Sequence, residues 1–141
     1  MVFLLDANVL IALLDPAHVH HDAAHAWFAQ QDSWATCPMT ENAVLRIVGH
    51  PRYPNTPGTP AAVAPLMASL RALPGHVFWP DDISLLDAGE RDLTRLLSPG
   101  QVTDTYLLAL ARAHGGKLAT FDRRLVTDAV PNGAQTLHLI S

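Results

Sequence analysis

Four acidic residues occupy one kind of position, where an apolar, strand-like run ends or the next helix begins. They are Asp6, Glu41, Asp104 and Asp122. In an α/β fold such positions converge at the carboxyl edge of the sheet. Carboxylates that meet without a counter-charge raise one another's pKa, and a divalent cation relieves that repulsion. The pattern therefore predicts a hydrolytic site in which all four acids are catalytic and ligate Mg²⁺, or Mn²⁺ in its place.

The helical phase of Glu41 and Asp104 supports more than a capping role. Residues three, four and seven positions after each acid share its helical face. They are Val44, Leu45 and Val48 after Glu41, and Leu107, Leu108 and Ala111 after Asp104. Both acids thus extend an apolar stripe, which helix capping does not require. Each acid taken alone is still compatible with a cap at a helix start.

Two neutral residues are candidates for a supporting role at the same edge. Asn8 follows Asp6 by two positions, and we expect it to bind substrate or orient the carboxylate. Thr120 precedes Asp122 by two positions and points to the same strand face, where it could bind a metal-bound water. Local capping or packing is the alternative for both.

Arginines near the predicted edge are candidates for contact with phosphate. Arg46 shares a helix with Glu41, and Arg112 follows Asp104 on another. Arg52, Arg123 and Arg124 also flank the edge. A solvated surface arginine is the ordinary alternative for each of them.

Histidines between positions 18 and 25 form a second cluster, and His21 and His25 share a helical face. Two histidines at this spacing can bind zinc. No further zinc ligand type is nearby in the sequence, so surface histidines at a helix start are the favoured interpretation.

Apolar runs and breakers predict alternating strands and helices. The predicted strands cover residues 2–5, 34–37, 76–79, 117–121 and 136–140. The predicted helices cover 6–14, 20–30, 41–48 with Thr40 as N-cap, 61–73, 88–97 and 102–113. Residues 51–60 form a proline-rich loop. This alternation predicts an α/β fold with a central, mostly parallel sheet flanked by helices on both faces.

Length and composition narrow the class of protein. The 141 residues fit a single domain spanning 1–141, and the net charge of −4 is unlike that of a free-standing nucleic-acid binder. Cys37 is the only cysteine, so a disulfide framework is excluded and a reducing cytoplasm is expected. The apolar N-terminus carries Asp6 and Asn8 and is too short to span a bilayer. We expect no membrane association.

Taken in order, these motifs resemble those of PIN-domain ribonucleases, especially the VapC-type toxins of toxin–antitoxin pairs. The segment 5–10, Leu-Asp-Ala-Asn-Val-Leu, resembles the opening strand and its Asp-x-Asn. The second acidic motif resembles residues 40–42 with Arg46, the third resembles Asp104 with its helix, and the last strand with its terminal acid resembles residues 118–122. A segment found in some of these toxins resembles residues 51–54. No single motif is specific, but four in order cover nearly the whole chain.

The resemblance implies a PIN-domain fold and an endoribonuclease that depends on Mg²⁺ or Mn²⁺. It implies products with a 5′-phosphate and a 3′-hydroxyl. It also implies a homodimer that a cognate antitoxin protein neutralises, with RNA as the substrate.

Three other classes of protein fit parts of the pattern. A response-regulator receiver needs adjacent acids after the first strand and a lysine after a late strand, whereas Lys117 opens its strand. A haloacid-dehalogenase-type phosphatase needs a second aspartate where Asn8 stands. A non-catalytic RNA- or partner-binding module of the same fold is the strongest alternative, and it predicts no metal-dependent activity.

Overall fold

The computed structural model describes residues 1–87 and 92–141. Its central feature is a five-stranded sheet in the order β3-β2-β1-β4-β5. The strands are β1 (Phe3–Leu5), β2 (Trp34–Thr36), β3 (His76–Phe78), β4 (Lys117–Thr120) and β5 (Leu137–Leu139). All four strand pairings are parallel, which confirms the predicted α/β class.

Both faces of the sheet are covered, as predicted. Successive side chains of a strand point to opposite faces, so Leu4 and Leu5 pack into different cores. Leu5 joins the core that contains Val9 and Leu10 of α1 (Ala7–Leu14). Leu4 joins the core of α5 (Val102–Ala113). The central strands are apolar in sequence because neither face meets water.

The helices on the first face follow the predicted order. After α1 come α2 (His21–Phe28), α3 (Pro38–Val48) and α4 (Pro60–Arg71). The apolar stripes predicted for Glu41 and Asp104 are confirmed, because Val44 and Leu108 are fully buried. Among the described residues, no helix has the length and apolar character needed to cross a bilayer.

The start of α3 corrects one prediction. Thr40 is not the N-cap, because the helix begins three residues earlier than expected and is capped at Cys37. The Thr40 hydroxyl instead accepts a hydrogen bond from the Cys37 backbone N–H at 3.1 Å and donates to its carbonyl at 3.0 Å. Pro38 fits the first helical turn because its nitrogen needs no partner there.

The chain between β3 and α5 corrects a second prediction. A helix was expected over 88–97, and residues 88–91 lie outside the described residues. Of the remainder, only Leu93–Arg95 is helical, as a single 3-10 turn. The apolar residues Leu93 and Leu97 are exposed, so this segment buries no stripe that would stabilise a longer helix.

The C-terminal segment differs from the expected strand at its first residue. Thr136 closes a short helix, α6 (Gly133–Thr136), which the sequence pattern did not indicate. It follows Asn132, whose φ of 55° is left-handed, a conformation that asparagine tolerates better than most residues.

The proline-rich loop is fixed to the end of α1. The buried Asp15 carboxylate accepts hydrogen bonds from the Tyr53 hydroxyl and from Asn55 Nδ2, the latter at 2.6 Å. Burial alone would raise the pKa of Asp15, but these hydrogen bonds outweigh it and lower the pKa. The loop is therefore a packed element whose anchor lies about 14 Å along α1 from Asp6.

Candidate active site

Asp6 is the most firmly held of the predicted acids. It follows β1 directly and is only 8% exposed. Its Oδ1 accepts a hydrogen bond from the Ala7 N–H at 2.7 Å, and its Oδ2 accepts one from the Thr120 hydroxyl at 2.9 Å. Burial raises the pKa of Asp6, those two hydrogen bonds lower it, and the nearby Asp122 carboxylate raises it again; the balance is upward.

Asn8 and Thr120 connect β1 to β4 around this carboxylate. Asn8 Nδ2 donates to Thr120 Oγ1 at 2.9 Å, and Asn8 Oδ1 accepts from the Phe121 N–H at 3.1 Å. Thr120 Oγ1 also accepts from the Asp122 N–H at 3.1 Å. The two residues expected in a supporting role therefore hold Asp6 and Asp122 in one network.

Asp122 stands on the turn that follows β4. Its Oδ1 accepts a hydrogen bond from the Arg124 N–H at 2.9 Å, which closes a local turn. The other carboxylate oxygen takes no part in that turn. Its proximity to Asp6 follows from the register of the strands, since Leu5 pairs with Ala119 in the sheet.

Asp104 lies in the first turn of α5, within electrostatic range of Asp6 and Asp122. Burial, and after it the carboxylates of Asp6 and Asp122, raise the pKa of Asp104 to about 6. The helix runs back from this edge, and β4 returns to it. Three of the four predicted acids, Asp6, Asp104 and Asp122, are thus close enough to repel one another.

Glu41 is held differently. It lies on α3, 15% exposed, and its Oε1 is 3.3 Å from Arg71 Nη1 of α4. Its Oε2 accepts a hydrogen bond from the Thr36 hydroxyl at 2.6 Å. A cation and a hydroxyl therefore already compensate this acid, whereas the three aspartates interact with one another.

The donor chemistry of the three aspartates fits a hard cation. Within residues 1–87 and 92–141, no group of three or more histidine, cysteine or acidic side chains is close enough to ligate one ion together. Mg²⁺ usually takes one or two carboxylates and keeps several of its waters. Coupled aspartates suit that mode of binding, because the ion would relieve their mutual repulsion.

A relay of side chains behind Glu41 was not apparent from the sequence. The single hydroxyl proton of Thr36 goes to Glu41, so His76 Nε2, at 2.7 Å, must donate to the Thr36 oxygen. Arg71 also lies over the Phe78 ring, 5.1 Å from its centroid. The sequence indicates only that Thr36 and His76 lie on two predicted strands. That these strands are neighbours, and in a register that brings the two side chains together, is visible only in the folded sheet.

The candidate arginines are spread over different parts of the molecule. Arg46 is exposed near the end of α3, beside the proline-rich loop. Arg112 lies in the last turn of α5, about 12 Å along the helix from Asp104. Arg123 and Arg124 are exposed and directly follow Asp122, which makes them the arginines nearest that acid in the chain.

The histidine cluster has other partners than a metal. The ring of His21 makes a 2.7 Å hydrogen bond to the Ala12 carbonyl, and that of His25 a 2.9 Å bond to the Leu13 carbonyl. Both histidines thus satisfy carbonyls in the last turn of α1, which have no partner inside the helix. This accounts for their shared face without zinc.

Comparison with known proteins agrees with this architecture. The family model of the PIN domain matches residues 3–129. Ribonuclease VapC44 of Mycobacterium tuberculosis is 47% identical over 138 residues, which cover 96% of both chains. Ribonuclease VapC39 of the same organism is 46% identical over 133 residues, covering 92% of this chain and 94% of that one.

The fold, the acidic edge and the family match define the class: the chain belongs to the PIN-domain family, in its VapC group. A third relative in that group, ribonuclease VapC29 of M. tuberculosis, is 40% identical over 126 residues, which cover 89% of both chains. The resemblance expected from the ordered motifs is thereby confirmed.

Proposed function

We propose that this chain is a metal-dependent endoribonuclease that hydrolyses RNA phosphodiester bonds as the toxin of a toxin–antitoxin pair. The observation that carries the proposal is the electrostatic coupling of Asp104 to Asp6 and Asp122, in a chain whose VapC relatives are named ribonucleases. Carboxylates whose pKa values are perturbed in this way are typical of functional sites, where a bound cation offsets their repulsion.

Asp6, Glu41, Asp104 and Asp122 would hold Mg²⁺ or Mn²⁺, directly or through water. Bound there, the ion would lower the pKa of a water and stabilise charge on the scissile phosphate. The chain's own part is preorganisation. Thr120 and Asn8 fix the position of Asp6, and Thr36 with Arg71 fixes Glu41 before any ligand arrives.

Contact with RNA requires positive charge beside this acidic edge. Arg46 and Arg112 remain candidates for phosphate contact, and the nearest arginines to Asp122 in sequence are Arg123 and Arg124. The overall charge of −4 makes local arginines the source of any attraction for the substrate backbone.

The family membership also supports proposals about partners. A cognate antitoxin protein would neutralise the toxin, and the chain would act as a homodimer in the cytoplasm, where its RNA substrate is found. Light scattering of the purified chain tests the dimer, and a monomer at micromolar concentration would contradict it.

The decisive experiment is RNA cleavage by the purified chain with Mg²⁺ or Mn²⁺ and then with a chelator. Asp6→Asn and Asp104→Asn are expected to lose at least about a hundredfold in rate, the scale of losing a transition-state charge stabiliser. Asp22→Asn is the matched control, because Asp22 also lies in the first turn of a helix but is exposed on α2.

Cleavage that ignores both chelator and the two substitutions would overturn the metal site. RNA binding without any cleavage, unaffected by the substitutions, would instead favour a non-catalytic binding module of this fold. Growth arrest on expression in a bacterial host, relieved by co-expression of the protein encoded next to the gene, tests the toxin role separately.

A further inference from the structure

A groove of about 300 Å³ opens directly beside Asp122. His20 and Phe121 form one part of its lining, and residues 122–124 of the turn after β4 form another. Ile140 and Ser141 complete it. The groove shares Asp122 with the acidic edge, so a molecule that occupies it lies next to the candidate reaction centre.

The aromatic part of the groove is a stacked pair of rings. The His20 and Phe121 rings are parallel to within 6°, with centroids 4.4 Å apart. Phe121 is half-buried against the core that contains α1, which gives His20 a fixed support. His20 itself is exposed, and the neighbouring His18 ring approaches it at 5.7 Å and 40° rather than in parallel. One face of the His20 ring is thus covered by Phe121, and the side chain as a whole stays exposed to solvent.

The cationic part of the groove is held by a rigid turn. Arg123 and Arg124 are both exposed, and the hydrogen bond from the Arg124 N–H to Asp122 fixes the backbone that carries them. Because Asp122 is itself tied to Thr120, the two guanidinium groups project from a framework shared with the acidic edge. Planar guanidinium groups match phosphate oxygens well.

We propose that this groove is a nucleotide subsite for the RNA strand: one base stacks on the exposed ring of His20, and an adjacent phosphate contacts Arg123 and Arg124. The inference rests on the proposed ribonuclease function and names a part of its substrate site. A flat ring beside two arginines is the combination by which proteins bind single-stranded nucleic acid without reading its sequence. Continuity with Asp122 places the neighbouring phosphodiester at the acids.

The test measures binding of a fluorescein-labelled, mixed-sequence single-stranded RNA by anisotropy, with EDTA present to prevent metal-dependent cleavage. His20→Ala is expected to weaken binding about tenfold, while His20→Phe, which keeps a ring for stacking, stays within about twofold of wild type. His20 makes no side-chain capping hydrogen bond to α2, so the substitution leaves the helix start intact.

The arginines have their own readout. The double variant Arg123→Ala, Arg124→Ala is expected to reduce the slope of log affinity against log salt by about 0.7 for each phosphate that no longer meets a guanidinium group. His50→Ala and Arg95→Ala are matched controls. Both residues are exposed. His50 lines a different groove, beside Tyr53 at the far end of α1, and Arg95 lies in the 3-10 turn between β3 and α5.

Equal binding by wild type, His20→Ala and His20→Phe would overturn the subsite, as would no binding of RNA by the wild type. Weakening of antitoxin binding but not of RNA binding would also overturn it. The two proposals fail separately. Metal-dependent cleavage with unchanged RNA affinity in His20→Ala refutes only the subsite. Loss of affinity in His20→Ala without any cleavage by wild type supports the subsite and refutes only the nuclease.

Discussion

Arg71 Nη1 lies 3.3 Å from Glu41 Oε1, so the acid after β2 is paired with a cation before any metal arrives. Asp6 and Asp104 experience the opposite influence. Burial is the main cause of the raised pKa of each, and neighbouring carboxylates add to it, Asp122 at Asp6 and both Asp6 and Asp122 at Asp104. The four acids at this edge therefore fall into two groups. The charge of Glu41 is compensated by Arg71, whereas Asp6, Asp104 and Asp122 repel one another.

Removal of the Arg71 charge is expected to tighten metal binding. In Arg71→Gln, the Mg²⁺ concentration that produces half of the maximal rise in Tm should fall about threefold, because a positive charge near the ion is removed. Arg95→Gln is the control, since Arg95 pairs with Asp92 at a similar distance, 3.4 Å, in a more exposed position. An unchanged or higher Mg²⁺ requirement in Arg71→Gln would contradict this prediction and show that Arg71 affects metal binding more by positioning Glu41 than by its charge.

Thr120 is expected to be a stability hotspot despite its small size. Its buried hydroxyl donates to Asp6 and accepts from Asn8 and from the Asp122 backbone. Thr120→Val leaves those groups without this partner and should cost about 1–3 kcal/mol in urea unfolding. Thr120→Ser keeps the hydroxyl and should lose less. Equal losses in the two variants would assign the effect to packing.

Asp104 should make the metal-free protein less stable at neutral pH. The pKa of Asp104 in the folded protein, about 6, exceeds the ordinary value of 3.8. Protonated Asp104 therefore stabilises the folded state fully below pH 3.8, and this stabilisation is lost as the pH rises through 6. In EDTA, the Tm of wild type relative to Asp104→Asn should therefore fall as pH rises across that window, and Mg²⁺ should reverse the difference at neutral pH. A constant difference in Tm, with or without Mg²⁺, would contradict the coupling.

His138 predicts a second pH dependence, away from the acidic edge. Its Nε2 accepts a hydrogen bond from Trp27 Nε1 at 3.0 Å, which requires the neutral ring. Burial and then the Lys117 charge lower the pKa of His138 below 6.5. Neutral His138 therefore stabilises the folded state fully above pH 6.5, and this stabilisation is lost as the pH falls through the lowered pKa of His138 in the folded protein.

The measurement for His138 is the free energy of unfolding on both sides of that pH window. His138→Gln offers an acceptor that does not titrate, so its stability should fall less than that of wild type as the solution is acidified. Trp27→Phe should cost about 1 kcal/mol at high pH, because it removes the hydrogen bond. Identical pH profiles for wild type and His138→Gln would refute the dependence.

Local sequence was sufficient for most of the framework. A short apolar run such as Phe3–Leu5, followed by a helical period, predicts a central strand buried on both faces, which is typical of a parallel sheet. The same pattern brought Asp6, Asp104 and Asp122 to one edge, since strand ends and helix starts share it. Helix starts were harder to predict from local sequence. The helix α3 begins earlier than expected, because a proline is tolerated in the first turn of a helix.

The sequence by itself determined the sheet, its two covered faces and the edge at which the acids lie, because periodicity and chain direction are local properties. Tertiary structure decided which partner each acid has. Arg71 and Glu41 are thirty positions apart, and Thr120 and Asp6 over a hundred, so no local period relates them. The packing of α4 against α3 sets the first distance, and the parallel register of β1 with β4 sets the second. These contacts between elements decide the charge that each carboxylate experiences.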